Sequence, residues 1–235
     1  MKKNAVVFSS WVPSQYFYRA NIYLSFIRDY FSDCDVYIGV NSESDLVWVD
    51  IIESVLPEAQ VALVDPSLSL NSDVPGFQSA LKLLKDSKNE YENVYFMHSK
   101  GMSYPNDATW FISCRDYFMQ FAEKRKEFDE IMEKDTSIGG IAHIARKFDM
   151  KTSKHLEQIV SYMDNTKTAI QVIPQDTMWL LTHYVIKGNI VKWFLDASKE
   201  EFFTTNLQDR YFFEVCFPLI VDAYGKRREN QVFWE

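Results

Sequence analysis

Four short apolar runs, each followed by a helix-like or turn-rich stretch, occupy the first hundred residues, and they constrain this chain more than any other feature. They are residues 4–10 (NAVVFSS), 35–41 (DVYIGVN), 60–64 (QVALV) and 93–97 (NVYFM). Continuous apolar runs of this length fit strands buried on both faces. Between them, 17–31 places Tyr23, Ile27, Tyr30 and Phe31 at helical spacing. Residues 44–56 follow a potential Ser44 cap and stop before Pro57, and 77–87 carries Ala80, Leu81 and Leu84 on one face. Residues 65–76, with Pro66, Pro75 and Gly76, read as a loop. This alternation predicts an α/β domain built on a mostly parallel sheet flanked by helices.

The second half is less regular. Residues 108–134 read as one long amphipathic helix, with the mixed charges of 123–127 on a solvated face. Residues 138–145 read as a strand, 153–163 as a helix, and 170–173 and 178–186 as strand-like, with Gly188 as a breaker. Residues 207–223 look helical despite Pro218. No linker or repeat divides the 235 residues, so one domain is expected: 1–105 as a nucleotide-binding half, 106–225 as an acceptor-side half and 226–235 as a polar tail.

Composition narrows the function. Lys plus Arg is 25 against 33 Asp plus Glu, a net charge of −8, which disfavours nucleic acid or an anionic membrane as partner. Only 7 glycines and no P-loop, GxGxxG or GxSxG remove the commonest NTPase, dinucleotide and hydrolase readings. Cys34, Cys114 and Cys216 are scattered among apolar neighbours with no CxxC pair, which fits buried thiols in a reducing, cytoplasmic setting. The apolar stretch after Met1 is too short for a signal peptide, and no membrane span is expected.

In an open parallel sheet, ligands gather at the carboxyl ends of strands. Those ends offer Ser9, Ser10 and Trp11; Asn41, Ser42 and Glu43; Asp65; and His98, Ser99, Lys100 and Gly101. The last set delivers two potential cations and a hydroxyl, the groups a diphosphate requires. Its plainer reading is an ordinary loop capping strand carbonyls. His143 and His183 lie in apolar patterns and read as satisfied core histidines, and His155 as an exposed residue opening a helix. Trp11, at the first strand end, is the aromatic best placed to stack on a base or a sugar.

The stretch Asn93–Gly101 resembles the apolar strand and H-[ST]-K element of the rhamnan-synthesis-F-like glycosyltransferases. Trp110 with Arg115-Asp116-Tyr117-Phe118-Met119 is similar to the aromatic helix that follows it there. Asp73-Val74-Pro75-Gly76-Phe77 with Ala80-Leu81 resembles their D-I-G-x-F turn and helix, with Pro75 inserted and the flanking Asn-Arg-Gly missing. The segment from Thr177-Met178-Trp179 to Trp193-Phe194 resembles their acceptor side. The likeness covers about residues 5–120 most clearly. It implies a GT-A-like fold, a nucleotide-sugar donor, and transfer of a glycosyl group to a hydroxyl of a glycan or small acceptor. The donor-binding set would be Ser9, Trp11, Asn41, Asp73, His98, Ser99, Lys100 and Gly101.

Most GT-A enzymes hold a divalent metal, Mn or Mg, with a D-x-D after the fourth strand; His98-Ser99-Lys100 stands there instead. The D-x-D string of this chain, Asp33-Cys34-Asp35, precedes the second strand and so falls at the wrong end of the sheet. No metal ligands are therefore assigned, a divalent ion (Mn or Mg) stays open as a cofactor, and side-chain cations are expected to neutralise the leaving diphosphate in its place. An inverting reaction needs a carboxylate base, for which Asp176, Glu214 and Asp209 are candidates. Glu214 lies among Phe212, Phe213 and Phe217, a setting that can raise a carboxyl's pKa. Their plainer readings are a turn or cap for Asp176, an ion pair with Arg210 for Asp209 and a helix-edge salt bridge for Glu214. A catalytically silent domain of the same fold, binding glycan, nucleotide or protein, is the competing reading, and a nucleotidyltransferase ranks behind it.

Overall fold

The computed structural model describes residues 3–44, 46–68, 73–100, 102, 108–147, 177–179, 182–204, 212–215 and 217–233. β1 (Asn4–Ser10), buried along its whole length, lies between β2 (Cys34–Val40) and β4 (Asn93–His98), both parallel to it. β3 (Gln60–Leu63) extends the parallel half beyond β2. β7 (Tyr184–Lys187) runs antiparallel to β4 and joins it to β5 (Ile138–Lys147). β6 (Thr177–Trp179) is antiparallel to β5, and β8 (Arg227–Phe233) is parallel to it. The eight strands run β3-β2-β1-β4-β7-β5-β6, with β8 on β5. The α/β architecture is as expected; the antiparallel strands β6 and β7 make the second half of the sheet mixed.

Strand alternation sends side chains into two cores. Ala5, Val7, Tyr37, Val94 and Phe96 face α3 (Val74–Ser87), α6 (Gly188–Ala197) and the short helices α7 (Glu201–Thr204), α8 (Phe212–Val215) and α9 (Leu219–Ala223). Val6, Phe8, Ile38, Tyr95 and Met97 face α1 (Phe17–Tyr30), α2 (Val47–Val55), α4 (Ala108–Glu123) and α5 (Arg125–Lys134). The start of α3 sits directly on the sheet because two glycines meet there. A Cβ on Gly39 would lie 1.8 Å from the Gly76 carbonyl oxygen, and one on Gly76 would lie 2.2 Å from Ser9 Oγ.

Several segments depart from the sequence expectations. The single helix over 108–134 is two, broken at Lys124. Arg125, expected on a solvated face, is 6 % exposed. Its guanidinium turns inward to Asp33 and to the Tyr30 carbonyl (2.7 Å), and packs over the Phe31 and Tyr95 rings. Ser44 does not cap α2, which starts at Val47; its Oγ accepts from the Val12 amide at 3.0 Å. The strand-like run 178–186 is divided, with Thr182 between its halves in the left-handed region (φ 49°). The 207–223 helix is represented by α8 and α9, with Pro218 at the cap of the latter. The segment read as a polar tail contains β8, whose Asn230 Oδ1 accepts from Trp179 Nε1 at 2.7 Å. The expected helix 153–163, with His155, and the strand 170–173 lie outside the described residues.

Candidate functional site

β1 leads to β2 and β3 on one side, and the chain then returns to place β4 on the other. The carboxyl ends of β1 and β4 are therefore the topological switch point where such sheets open a crevice. Ser9 stands there in register with Gly39 on one neighbour and His98 on the other. Asp73, the residue capping α3, is brought over them by the glycine contact. Its carboxylate does not cap the helix. It accepts from His98 Nδ1 at 2.8 Å, while Ser9 Oγ donates to the Asp73 carbonyl at 2.6 Å. Phe77, one turn along α3, stacks on the imidazole with ring centres 6.2 Å apart.

Lys100, two residues past β4, reaches across to α8, where its Nζ donates to Glu214 Oε1 at 3.3 Å. Burial alone would lower the Lys100 pKa; Glu214 and Asp73 outweigh it and hold the ammonium above its ordinary value. The same balance governs Asp73. Burial would raise its pKa, but His98 and Lys100 hold it below the usual carboxylate range. The corner thus sets the His98 imidazole against the Asp73 carboxylate and the Lys100 ammonium against that of Glu214, with the Lys100 side chain 25 % exposed and that of Glu214 7 %.

The turn carrying these groups is fixed by backbone contacts. Ser99 N donates to the Ser9 carbonyl, and Ser99 Oγ both accepts from Trp11 N (2.9 Å) and donates to Trp11 O (3.1 Å). Tyr23 Oη donates to the Lys100 carbonyl at 2.8 Å. The half-buried Trp11 is held at the rim by this pair. Asn41 is buried, and its Oδ1 accepts from the Glu43 amide at 3.0 Å within its own turn. Ser9, Asp73, His98, Lys100 and Glu214 therefore come together, Trp11 and Ser99 adjoin them, and Asn41 follows β2 with its amide donating to the Ser10 carbonyl at 2.8 Å. Gly101, Asp176 and Asp209 lie outside the described residues.

Asp33 and Asp35 flank the amino end of β2, the far edge of the sheet, where Arg125 and Tyr91 engage them. At the carboxyl edge one imidazole, two carboxylates and an ammonium do not make a divalent-ion site. Among the described residues no group of three or more His, Cys, Asp or Glu can hold a metal. A cavity of about 170 Å³ opens elsewhere, beside Lys85, Lys88, Tyr91, Gly188 and Lys192 at the amino end of β4.

Two neighbours of the corner were not read from sequence as belonging to it. Tyr184 Oη donates to the Phe213 carbonyl at 2.9 Å, and burial, then Asp73 and Glu214, push its phenol well up. His183 is buried as expected of a core histidine but not satisfied as expected: among the described residues neither ring nitrogen has a hydrogen-bond partner. Its polarity inside an apolar run was the available signal.

No protein-family model matches the chain, and no curated protein matches it in sequence. Among solved structures, core-mannan synthase A from Aspergillus fumigatus, in its Mn/GDP form, aligns with 96 % of this chain over 69 % of its own. The identity is 9 % and the TM-score 0.40. No helix among the described residues is long and apolar enough to cross a membrane.

Proposed function

We propose that this chain is a GT-A-like glycosyltransferase that takes a sugar from a nucleotide-sugar donor to a hydroxyl of a glycan or small acceptor. The observation that carries the reading is the convergence of Ser9, Asp73, His98, Lys100 and Glu214 at the carboxyl ends of β1 and β4, from elements far apart in the chain. The resemblance of 93–101 and 110–119 to rhamnan-synthesis-F-like enzymes supports it. Residues 1–105 form the donor half and 106–225 the acceptor half. Lys100, held charged and partly exposed, meets the diphosphate; Trp11 stacks on the base or sugar; Ser9 and Ser99 hold the loops.

In the reaction the acceptor oxygen bonds to the anomeric carbon, the carbon–phosphate-oxygen bond breaks, and the nucleoside diphosphate leaves with the electron pair. We assign Glu214 the role of taking the acceptor proton, with Asp176 and Asp209 as further candidates.

One observation favours the second reading, a binding module without catalysis: the Lys100 ammonium already faces the Glu214 carboxylate. Calorimetric titration with GDP, UDP and dTDP, with and without manganese, separates the possibilities. We expect one of them to bind, and Lys100→Met to weaken that binding at least tenfold. No binding by any of them ends the transferase reading. Binding without nucleotide release from the matching nucleotide sugar, across an acceptor panel, supports the module.

A further inference from the structure

Among the described residues three arginines are buried: Arg19, Arg125 and Arg228, at 7, 6 and 9 % exposure. Arg125 faces Asp33, and Arg228 faces Asp222 at 2.8 Å. Arg19 pairs with no carboxylate among the described residues. Its Nε donates to the Tyr18 hydroxyl at 2.9 Å, and its Nη1 is buried with no acceptor. The rings of Phe111, Tyr16 and Tyr18 surround the guanidinium, their centres 5.0, 5.2 and 5.6 Å from Cζ.

A guanidinium keeps its charge permanently and carries five N–H donors. Ring faces attract that charge, but they do not neutralise it and do not replace an oxygen acceptor. A buried charge ordinarily has a counter-charge, and one without it is held at a cost to stability. Such a departure from the pattern of Arg125 and Arg228 is what a group kept for a ligand looks like.

Arg19 lies in the first turn of α1, which follows β1, and Phe111 at the start of α4, which follows β4. These two helices flank the switch point of the sheet. Tyr23, one turn further along α1, packs edge-on against Phe111 (6.2 Å) and donates to the Lys100 carbonyl at 2.8 Å. Tyr18 differs from the other rings around the guanidinium: it is 65 % exposed and belongs to neither core. Its side chain can swing into solvent without unpacking either layer, and the space it leaves opens on the guanidinium.

We propose that Arg19 is an oxyanion-binding residue of the crevice and Tyr18 its exchangeable cover. The phenol oxygen occupies the place of a ligand oxygen and yields it to a phosphate or carboxylate, which pairs with the guanidinium through two N–H donors. This deepens the glycosyltransferase reading, on which it rests only for the identity of the ligand: the diphosphate of a donor or the carboxylate of an acidic sugar. Unlike Lys100, which faces Glu214, Arg19 needs no rival carboxylate displaced.

Proton–nitrogen spectra of the 235-residue protein carrying 15N-arginine test this, because the Arg19 Nε–H reports on its own acceptor. Its displacement in Tyr18→Phe identifies the signal. Titration with sodium pyrophosphate and with sodium glucuronate, at an ionic strength held constant with chloride, is expected to shift it saturably in at least one case. A response to pyrophosphate assigns the site to a diphosphate, and one to glucuronate to an acidic sugar. No saturable shift with either overturns the inference; nucleotide binding and nucleotide release decide the transferase reading separately. Tyr18→Phe removes the competing oxygen and keeps the ring, so the responding anion should bind about 3–10-fold more tightly. Unchanged or weaker binding overturns the exchange. Arg19→Met keeps the apolar stem and removes the charge, so the Tm of the anion-free protein should hold or rise, by up to roughly 5 °C. A lower Tm would mark an arginine kept for packing and overturns the inference. The titration itself uses the unaltered protein and stands if that variant does not fold.

Discussion

Lys100 and Glu214 neutralise each other across a single 3.3 Å contact, and an entering diphosphate must compete with that carboxylate for the ammonium. The competition gives Glu214 an unusual signature. A residue that merely lines a ligand pocket weakens binding when altered. Glu214→Gln instead removes the rival anion while keeping the shape, and should tighten the binding of nucleoside diphosphate about 3–10-fold while abolishing transfer. The pair is partly screened, with the Lys100 side chain 25 % exposed, so a larger gain is not expected. Titration calorimetry on both proteins measures it, and weaker binding by Glu214→Gln would show that the carboxylate supports the ligand.

At the scale of elements, α3 is the piece that assembles the corner, and its seat on the sheet depends on the absence of two side chains. A Cβ on Gly39 meets the backbone of Gly76 at 1.8 Å, and neither partner can rotate away. A Cβ on Gly76 meets first Ser9 Oγ at 2.2 Å, which can, and the Gly39 carbonyl oxygen only at 2.9 Å. Gly39→Ala should therefore destabilise by about 3 kcal/mol or more and Gly76→Ala by about 1–2 kcal/mol, with Ser9→Ala restoring part of the second loss and none of the first. Urea denaturation of the four proteins checks the order; equal losses, or no rescue, would sink the argument. On the opposite edge, Asp129 of α5 accepts from Asn4 Nδ2 (3.1 Å), Asn93 Nδ2 and Tyr95 Oη (2.6 Å). Asp129→Ala strands these donors and should cost about 2–4 kcal/mol in the same experiment, without changing nucleotide binding. How far such features can be read in a sequence follows from where their causes lie. β1, β2 and β4 were legible because strands buried on both faces must be continuously apolar. The break at Lys124 was not, because it depends on Arg125 meeting Asp33, ninety-two residues away. β8 was not, because RRENQVF is polar and owes its strand to pairing with β5. His98 and Lys100 were legible as strand-end cations; that Asp73 and Glu214 answer them required the fold.

For the molecule as a whole, the buried histidines make acid the vulnerable direction. Burial, assisted by Lys124, pushes His143 down to about 4, and His183 lies well below its ordinary value, again through burial first. Both are neutral in the fold near pH 7. Once unfolded they titrate near 6.5, so below that pH the unfolded chain binds more protons than the folded one. Their contribution to stability is complete above about pH 6.5 and is lost as the pH falls toward 4, each histidine adding up to about 1.4 kcal/mol per pH unit to the slope. The net charge of −8 works the other way, since acidification at first relieves self-repulsion. That term is spread over a solvated, salt-screened surface, whereas the histidine term arises in the core, so the histidines should dominate. Urea midpoints at moderate salt should be flat from pH 8 to 7 and fall steadily from pH 6.5 to 5. His143→Gln, which keeps a donor for Gln120 Oε1 (3.2 Å from His143 Nε2), should flatten part of that slope. A midpoint constant or rising between pH 7 and 5 would mean that these rings take up protons in the folded state.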